Sequence, residues 1–532
     1  MKRTHSLSQM LLLIMVTSLA TTAVAQKYGG TVRVSIISTP SSGSPHEESS
    51  ISTLQPFMPV FNNLVIFDQQ DKVARPASIK PDLATEWSWS ADNTVLTFKL
   101  REGVKWHDGK PFTSADVKCT WDMILEKRPS NWRKNTHKEW YGNLKEITVA
   151  GPYEVRFTLA RPQPAILSFL ASGWSPVYPC HVDGRVMRLK PIGTGPFKVA
   201  EFKPNDVIRL VKNTDYWKPG RPYLDALEYR IMPSQSTRVL AFIAGQTDLT
   251  GGTTTVNANA LKDIRARVPK AVCETNAGNV AATLLINHKA PPFDNLKVRR
   301  AISLALDRRE FVKVTQGDGR LGGFVMPPPY GVWGLTPEQL EAVPGFGKDV
   351  EKNRAEARKL MREAGYGPNN KLKTTYMVRL SSETYLVGMS LVADQLRSIY
   401  IEGEIEQKDY TVLTAALIKG AYTMVFERPA ASIDDPDNVF YEGYKCASVR
   451  NYTKYCNREV EAKIDEQSAT LDPVKRKKLV QELDLKLQQD VARAVLYQGV
   501  STACWQPYVK GYVRPTNGNY THHRMEDVWI DK

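Results

Sequence analysis

The sequence lacks the short motifs that mark several common enzyme classes. No C-x-x-C, H-E-x-x-H, G-x-S-x-G or G-x-x-x-x-G-K-[ST] occurs in the 532 residues. These absences argue against a zinc ribbon, a thioredoxin-type redox centre, a zincin protease, a hydrolase nucleophile elbow and a P-loop ATPase. Beyond the N-terminal segment, no stretch holds the roughly 20 apolar residues that a membrane-spanning helix needs. We therefore expect neither these enzymes nor an integral membrane protein.

The N-terminus, "MKRTHSLSQMLLLIMVTSLATTAVAQ", has the pattern of a secretory signal peptide. A lysine and an arginine give it a positive start, residues 11–20 form a short apolar core, and AVA is an A-x-A cleavage site. No cysteine lies at the cleavage point, so a lipid anchor is not expected. We predict a signal peptide over residues 1–25 and an exported, soluble mature chain that begins near Gln26.

The six cysteines fit an exported protein, because oxidising conditions outside the cytosol allow disulfides. Six cysteines permit many pairings, and the sequence does not choose among them. Cys446 and Cys456 are the nearest pair and bracket a short polar loop. We predict a disulfide between these two.

The composition is typical of a large globular protein with a basic balance. Hydrophobic residues make up 42% of the chain and charged residues 24%, and the formal net charge is +15. This is enough apolar material for a large core and several domains. The positive charges are dispersed, and the densest run, "KRKK" at residues 475–478, has an amphipathic pattern that favours a solvated helix face. For an exported chain we expect no nucleic-acid partner.

Strand and helix patterns mix along the chain without an internal repeat. Apolar and polar residues alternate over residues 31–36, 95–100 and 154–159, which predicts three strands. Helices are predicted after Asp294 and from Pro473, each marked by a capping residue or an N-terminal proline. The mixture predicts an α/β (mixed α+β) protein of several domains.

The stretch "LREGVKWHDGKPFTSADVKCTWDMI" (residues 100–124) raises the question of catalysis, because it contains a His-Asp pair. His107 and Asp108 could act as a base and its orienting acid. Adjacent residues in a turn rarely direct their side chains at one target, however, and no nucleophile is marked nearby. Thr113 or Ser114 can cap the helix that follows. We interpret the stretch as scaffold.

A longer segment that overlaps this one, "PDLATEWSWSADNTVLTFKLREGVKWHDGKPFTSADVK" (residues 81–118), resembles the signature of the family 5 extracellular solute-binding proteins. These are the dipeptide-, oligopeptide-, nickel- and opine-binding components of bacterial ABC importers. Further similar segments follow in the same order and cover nearly the whole mature chain: "PIGTGPFKV" (191–199), "LVKNTDYWKPGRPYLDALEYRI" (210–231), "AFIAGQTDL" (241–249), "INHKAPPFDNLKVRRAISLALDR" (286–308), "ARKLMREAGY" (357–366) and "YVKGY" (508–512).

The resemblance implies a two-lobed periplasmic binding protein fold with a hinge and an additional insert domain, three domains in all. Residues 26–68, 190–287 and 504–532 are expected to form a discontinuous lobe I, residues 69–189 the insert domain, and residues 288–503 lobe II. It also implies a monomer in the periplasm. That monomer would bind a solute between the lobes and deliver it to an inner-membrane ABC permease with its ATPase subunits.

The resemblance places ligand contacts around "MVFERPAASIDDPDN" (residues 424–438). In the peptide-binding relatives, an Asp four residues before the Pro of this motif holds the peptide's α-amino group, because a buried ammonium needs a charged partner. Counting back from Pro436, that position is Ser432 here. Asp434 and Asp435 either take over this role or serve as turn residues before the proline.

Arg428 stands near a position where many relatives have an aromatic residue. If it faces the cleft, the ligand carries an acid group, as an opine or an acidic amino-acid conjugate does, because a guanidinium binds carboxylate or phosphate bidentately. Otherwise it is a surface residue. Tyr410 lies where peptide binders place an aromatic wall of the cleft. Trp132, Trp174 and Trp333 are further candidates, since aromatic side chains commonly line ligand pockets.

Two other patterns do not meet the requirements of a site. Residues 317–322 fit G-x-G-x-x-G, but they follow a helical pattern where a dinucleotide site needs a strand. His522 and His523 lack a further acid or cysteine at ligand spacing, so we interpret them as surface histidines. We expect no cofactor and no metal.

The leading hypothesis is a periplasmic solute-binding protein of an ABC importer, not an enzyme, that captures a small peptide-like or opine-like solute. One alternative is a secreted hydrolase that uses the same cleft, but it needs a base and a nucleophile within reach, and the sequence marks no such pair. Another is a protein-binding adaptor or chaperone, which a large exposed apolar patch would favour.

Overall fold

A computed structural model describes most of the chain, and the predicted signal peptide (residues 1–25) and part of the Gly-rich motif at residues 317–322 lie outside the described residues. Within the described part, no helix is both long and apolar enough to cross a bilayer. The described residues are 26–127, 131–251, 256–315, 319–380 and 383–532.

The strands of the described residues form three larger sheets and two ribbons of two strands each. In chain order they are β1 (Thr31–Ile36), β2 (Val65–Phe67), β3 (Ile79–Pro81), β4 (Ala84–Trp89), β5 (Val95–Leu100), β6 (Leu144–Gly151), β7 (Glu154–Leu159), β8 (Phe197–Lys203), β9 (Val207–Lys212), β10 (Ala226–Ile231), β11 (Val272–Ile286), β12 (Leu372–Arg379), β13 (Ile401–Lys408), β14 (Met424–Glu427), β15 (Ala494–Trp505), β16 (Val509–Lys510) and β17 (Trp529–Ile530).

The α-helices are concentrated in the second half of the chain. In order they are α1 (Ile51–Phe57), α2 (Ser114–Ile124), α3 (Ile166–Ala171), α4 (Gly184–Leu189), α5 (Gln235–Ile243), α6 (Ala258–Arg267), α7 (Leu296–Ala305), α8 (Arg308–Thr315), α9 (Pro337–Glu341), α10 (Val350–Glu363), α11 (Glu383–Arg397), α12 (Tyr410–Lys419), α13 (Pro436–Tyr444), α14 (Arg458–Ala469) and α15 (Pro473–Gln489).

Lobe I and the insert domain each contain a sheet of four strands. In lobe I the order is β1-β10-β9-β8, with β1 parallel to β10 and the other pairs antiparallel. In the insert domain the order is β4-β5-β7-β6, all antiparallel. Leu96 and Phe98 of β5 are fully buried in the core of that domain, as their alternating pattern predicts.

A mixed five-stranded sheet in the order β13-β12-β14-β11-β15 lies mainly in the range predicted for lobe II, although β11 falls in the range predicted for lobe I. Its last two strands, β11 and β15, pair antiparallel over a long distance. At one end Leu284 lies opposite Ala494 in the lobe II core, and at the other Val272 lies opposite Trp505, which packs into the lobe I core. These two strands therefore run together between the lobes. The domain boundaries given above remain predictions.

The predicted elements can be compared with the structure one by one. The three predicted strands are present as β1, β5 and β7, and α15 begins at Pro473, with Asp472 Oδ1 accepting from Lys475 N at 2.7 Å. The helix expected after Asp294 begins one residue later, because Asn295 is the cap and accepts from Lys297 N at 2.9 Å. The mixed α/β fold class is confirmed.

The His-Asp pair of residues 100–124 serves the scaffold. His107 Nε2 lies 3.0 Å from the carbonyl oxygen of Gly195, and burial lowers the pKa of His107 to about 4. Asp108 points elsewhere and accepts from His181 Nε2 at 2.7 Å. The two side chains therefore do not form a dyad, and His107 ties the insert domain to the loop before β8.

All six cysteines are paired in three disulfides. The predicted bridge between Cys446 and Cys456 is present, with an Sγ–Sγ distance of 2.14 Å. The others are Cys119–Cys180 in the insert domain and Cys273–Cys504, which joins β11 to β15 at their lobe I end.

Candidate ligand-binding site

A cavity of about 180 Å³ lies between the two lobes. Lobe I contributes residues 49–51 and Tyr520, the middle of β11 forms one wall, and lobe II contributes residues 427–431 and much of α13. A solute in such a position is removed from water on most of its surface when the lobes close.

Three neighbouring strands of lobe II deliver side chains to this cavity from their carboxyl ends. β12 ends with Arg379 and β14 ends with Glu427, while Tyr410 comes two residues after the end of β13, at the start of α12. β12 is parallel to both β13 and β14, so all three strands end at the same edge of the sheet. Ligand sites of open α/β sheets commonly lie beyond this edge.

Arg379 and Glu427 face each other in this cavity. A guanidinium nitrogen of Arg379 lies 3.6 Å from Glu427 Oε1, and its Cζ lies 3.9 Å from the ring centroid of Tyr410. The guanidinium is therefore held by a carboxylate and by an aromatic face. Because 3.6 Å is too long for a hydrogen bond, Glu427 Oε1 has no hydrogen-bond partner among the described residues.

Glu442 of α13 links the cavity to the insert domain. Its Oε2 lies 2.7 Å from Arg450 Nη1, and its Oε1 lies 2.7 Å from His137 Nδ1. Burial alone would raise the pKa of Glu442, but the charge of Arg450 and the hydrogen bond from His137 outweigh burial, and the pKa lies below its ordinary value. Burial lowers the pKa of His137, so a neutral imidazole donates to the carboxylate.

Two further arginines line the cavity without a carboxylate partner in the described part of the chain. Arg428 and Arg493 are each 9% exposed, and the Nε atom of each has no hydrogen-bond partner. The Cζ of Arg493 lies 5.0 Å from the ring centroid of Tyr444. The cavity can therefore hold a solute that supplies acid groups.

The structure brings Tyr410 and Arg428, two of the residues singled out from the sequence, into this lining. Ser432 lies outside the lining, and its backbone N–H donates to Oδ1 of Asn438 in α13 at 2.5 Å. Asp434 also lies outside it. Burial and the neighbouring charge of Asp435 raise the pKa of Asp434 to about 7.

Asp435 is a structural residue of α13 in this structure. Its Oδ1 accepts from Asp437 N at 2.9 Å, and it pairs with Arg476 at 2.8 Å. Arg476 is only 3% exposed, so the expectation that the whole run at residues 475–478 is solvated is wrong at this position. Trp333 packs against the same guanidinium, with its ring centroid 4.8 Å from Arg476 Cζ, and lies outside the cavity lining.

The other two tryptophans also lie away from the cavity lining. Trp174 is 1% exposed and belongs to a core, with its ring centroid 4.8 Å from that of His137 and 5.4 Å from that of Tyr520. Trp132 packs against Tyr178 in the insert domain, beside a second, polar cavity. Large aromatic side chains bury the most apolar area, and here packing accounts for their positions.

Of the histidine pair near the C-terminus, His522 is buried and His523 is half-buried, so the interpretation of both as surface histidines is wrong for His522. His522 is 5% exposed and lies 2.9 Å from the carbonyl oxygen of Asp71, while His523 lies 2.9 Å from that of Asn519. No cluster of three or more potential metal ligands occurs among the described residues. The described cavity lining also contains no histidine or cysteine, so it offers no histidine–nucleophile pair.

Sequence reasoning missed six charged residues of the cavity. Five of them come from separate elements or loops, and nothing in their local sequence distinguishes them from surface charges. Glu427 is the exception, since a charged residue that ends the buried strand "MVFE" is a detectable signal. The six are Arg238, Arg379, Glu427, Glu442, Arg450 and Arg493.

Comparison with known proteins gives a consistent picture. Residues 78–451 match the family model described as "Bacterial extracellular solute-binding proteins, family 5 Middle". The chain is 27% identical over 472 residues to di/tripeptide-binding protein 1 of Pseudomonas aeruginosa, covering 82% of this chain and 84% of that one.

Two solved structures share the fold. The periplasmic binding protein DppA of Helicobacter pylori in complex with the peptide STSA superposes with a TM-score of 0.83 at 25% identity, covering 95% of this chain and 99% of that one. AgaA of A. tumefacien R10 in complex with agropinic acid gives a TM-score of 0.83 at 22% identity, covering 94% and 99%. The second likeness bears on the fold alone.

Proposed function

Because this chain belongs to the family 5 bacterial extracellular solute-binding proteins, the solute-binding components of ABC importers, we propose that it captures a small peptide-like or opine-like solute between its lobes and delivers it to an inner-membrane permease with its ATPase subunits. The names of the di/tripeptide-binding relatives support a peptide-like solute. The absence of an acid at Ser432 and the excess of arginine in the cavity support a more acidic one.

The observation that carries this proposal is the composition of the interlobe cavity. It combines aromatic walls with charged side chains of both signs and lacks a histidine–nucleophile pair among its described residues. Such a site provides desolvated polar groups that a correct solute satisfies and a wrong one leaves unpaired, which is the basis of selective binding. Binding of this kind needs no covalent chemistry.

The proposed location is the periplasm. The N-terminal pattern over residues 1–25 supports export, and three disulfides are typical of a protein that leaves the cytosol. The proposal includes a soluble, monomeric mature chain.

Uptake by living cells tests this function. A strain without the gene is compared with the parent for the solutes that each removes from a complex medium, measured by mass spectrometry. We expect at least one small solute to be depleted by the parent and spared by the mutant. Expression of the full-length chain should restore depletion, whereas the chain without residues 1–25 should not. Equal depletion by parent and mutant, or chemical turnover of the solute by the purified protein, would contradict the proposal.

A further inference from the structure

The charges of the interlobe cavity are unbalanced. Among its described lining residues are two glutamates and five arginines, so cationic side chains are in excess. In water such an excess is screened, but inside a closed cavity charges interact strongly and unpaired ones are costly. The arginines are Arg238, Arg379, Arg428, Arg450 and Arg493.

Three of the five arginines already have partners. Arg379 pairs with Glu427 at 3.6 Å, and Arg450 pairs with Glu442 at 2.7 Å. Arg238 donates to the carbonyl oxygens of residues 232 and 233, each at 2.7 Å. The two ion pairs neutralise their own charges without a ligand, and the carbonyl oxygens satisfy N–H groups of Arg238.

Arg428 and Arg493 are the two remaining arginines of the cavity. Each is nine-tenths buried, neither forms an ion pair within the described part of the chain, and both Nε atoms lack a hydrogen-bond partner. A buried guanidinium without an anion carries an uncompensated desolvation cost. An acid group of a ligand removes that cost through bidentate, charge-assisted hydrogen bonds.

The two arginines belong to different walls of the cavity. Arg428 follows β14 directly, whereas Arg493 precedes β15 and lies against α13. A Cβ on Gly443 of α13 would approach a terminal nitrogen of Arg493 to 2.9 Å, so the absence of a side chain at Gly443 leaves room for this guanidinium. Each of the two walls therefore presents one guanidinium without an ion-pair partner in the described residues. This arrangement fits a solute with two separate acid groups.

Building on the proposed function, we infer that the solute is a compact, net-negative molecule with at least two acid groups, one bound by Arg428 and one by Arg493. Glu427 Oε1, which has no hydrogen-bond partner in the described part, accepts from an amine or hydroxyl of the same solute. A dipeptide with neutral side chains carries a single carboxylate and an ammonium, so it satisfies only one of the two arginines. The acid groups can be carboxylates or phosphates, since a guanidinium binds both.

The test uses the purified mature protein and solutes that differ in the number of acid groups. Calorimetric titration compares N-(1-carboxyethyl)alanine, which has two carboxylates and an amine, its monoamide, phosphoserine and the dipeptide Ala-Ala, all at equal ionic strength. We expect a compound with two acid groups to bind at least tenfold more tightly than the monoamide and Ala-Ala. Tighter binding of phosphoserine than of the dicarboxylate assigns one arginine to a phosphate.

Variants assign each acid group to an arginine. Arg428→Met and Arg493→Met should each weaken binding of the diacid at least tenfold. One of the two variants should bind the monoamide as tightly as wild type does, because the monoamide already lacks the acid group that the substituted arginine binds. Gly443→Ala, which displaces the Arg493 guanidinium without removing its charge, provides a second variant if Arg493→Met does not fold. Lys478→Met, which removes an exposed lysine of α15, is the matched control and should change neither affinity.

Three results would overturn the inference. One is tighter binding of Ala-Ala than of every diacid, which leaves the proposed solute-binding function intact. Another is binding of diacids that neither the arginine variants nor Gly443→Ala weakens. The third is a melting temperature in succinate, glutarate and adipate that is no higher than the melting temperature in acetate at equal ionic strength.

Discussion

Asp434 and Asp435 are neighbours in the chain, yet the structure surrounds them very differently. Asp435 meets the guanidinium of Arg476 at 2.8 Å. Asp434 is half-buried beside the charge of Asp435, its Oδ1 has no hydrogen-bond partner in the described residues, and its pKa rises to about 7. The sequence left open whether these two acids anchor a ligand amine, and neither lines the cavity.

The raised pKa of Asp434 predicts a pH-dependent effect of Asp434→Asn. In the unfolded chain this acid ionises near its ordinary pKa of 3.8, so the folded state holds the proton more tightly between about pH 4 and 7. The stability that this proton contributes is complete below pH 4 and is lost as the pH rises through 7. Asn cannot ionise, so the variant should gain melting temperature relative to wild type between pH 5 and pH 8.

Calorimetry at pH 5 and pH 8 measures this difference. Asp394→Asn is the control, because Asp394 is largely exposed. If the melting temperatures of wild type and Asp434→Asn differ by the same amount at pH 5 and at pH 8, Asp434 does not hold its proton in the folded protein.

The family resemblance indicates Tyr410 and Arg428, and both line the cavity. It also indicates the segment that contains Ser432, Asp434 and Asp435, and these three lie outside the lining. Trp132, Trp174 and Trp333 are candidates only because they are aromatic, and burial in packed surroundings is the commoner fate of such side chains. Chemistry of the residue type alone did not distinguish core from site.

At the scale of elements, α13 is the segment on which the site depends most. It contributes Glu442, Gly443 and Tyr444 to the cavity, while its first turn is held by Arg476 of α15 through Asp435 and Asp437. One guanidinium faces two buried acids, and burial together with the charge of Asp435 raises the pKa of Asp437.

This arrangement predicts that Arg476→Leu is strongly destabilising. Removing the guanidinium leaves two carboxylates buried without their cation, and breaking a buried pair in this way typically costs about 3–5 kcal/mol. Urea denaturation measures the free energy of unfolding. Lys478→Leu, two residues along the same helix and exposed, should change it by less than about 0.5 kcal/mol. Equal effects of the two substitutions would show that Arg476 is not a structural ion-pair partner.

The elements themselves were largely predictable from the sequence, and their contacts were not. The alternating pattern of residues 95–100 and the Asp-Pro start of α15 both specify local structure through local physics. The burial of Arg476 within "KRKK" depends on acids that lie some 40 residues away in the chain, and no helical period reveals that.

At the scale of the whole molecule, the insert domain and lobe II are joined by polar contacts beside the cavity. His137 donates to Glu442 at 2.7 Å, and Arg161 pairs with Asp465 at 2.6 Å. Glu442 is the only one of these four that lines the cavity. Apart from Glu442, these contacts between the insert domain and lobe II are made by groups outside the cavity lining.

Loss of one such contact should weaken binding without altering the rest of the cavity lining. We expect His137→Ala to raise the dissociation constant of the bound solute at least threefold, mainly through faster dissociation, because the closed state loses a buried hydrogen bond. Stopped-flow displacement measures the dissociation rate. Arg156→Ala, an exposed change on β7 of the same domain, is the control. An unchanged dissociation rate for His137→Ala would exclude a role in closure.

The overall fold was the most predictable feature, because long motifs in a fixed order resemble one family along the chain. The identity of the solute was the least predictable, because the cavity draws on both lobes, the crossing strand β11 and α13. Net charge gives no guide either, since most of the positive charge lies outside the cavity.

We propose that this protein binds an acidic small solute between its lobes. Native mass spectrometry of the mature protein, followed by denaturation and identification of the released compound, tests it most directly. We expect one small molecule per chain, with at least two acid groups. A released compound that carries no acid group, or a protein that is solute-free as purified and binds no diacid on titration, would contradict the claim.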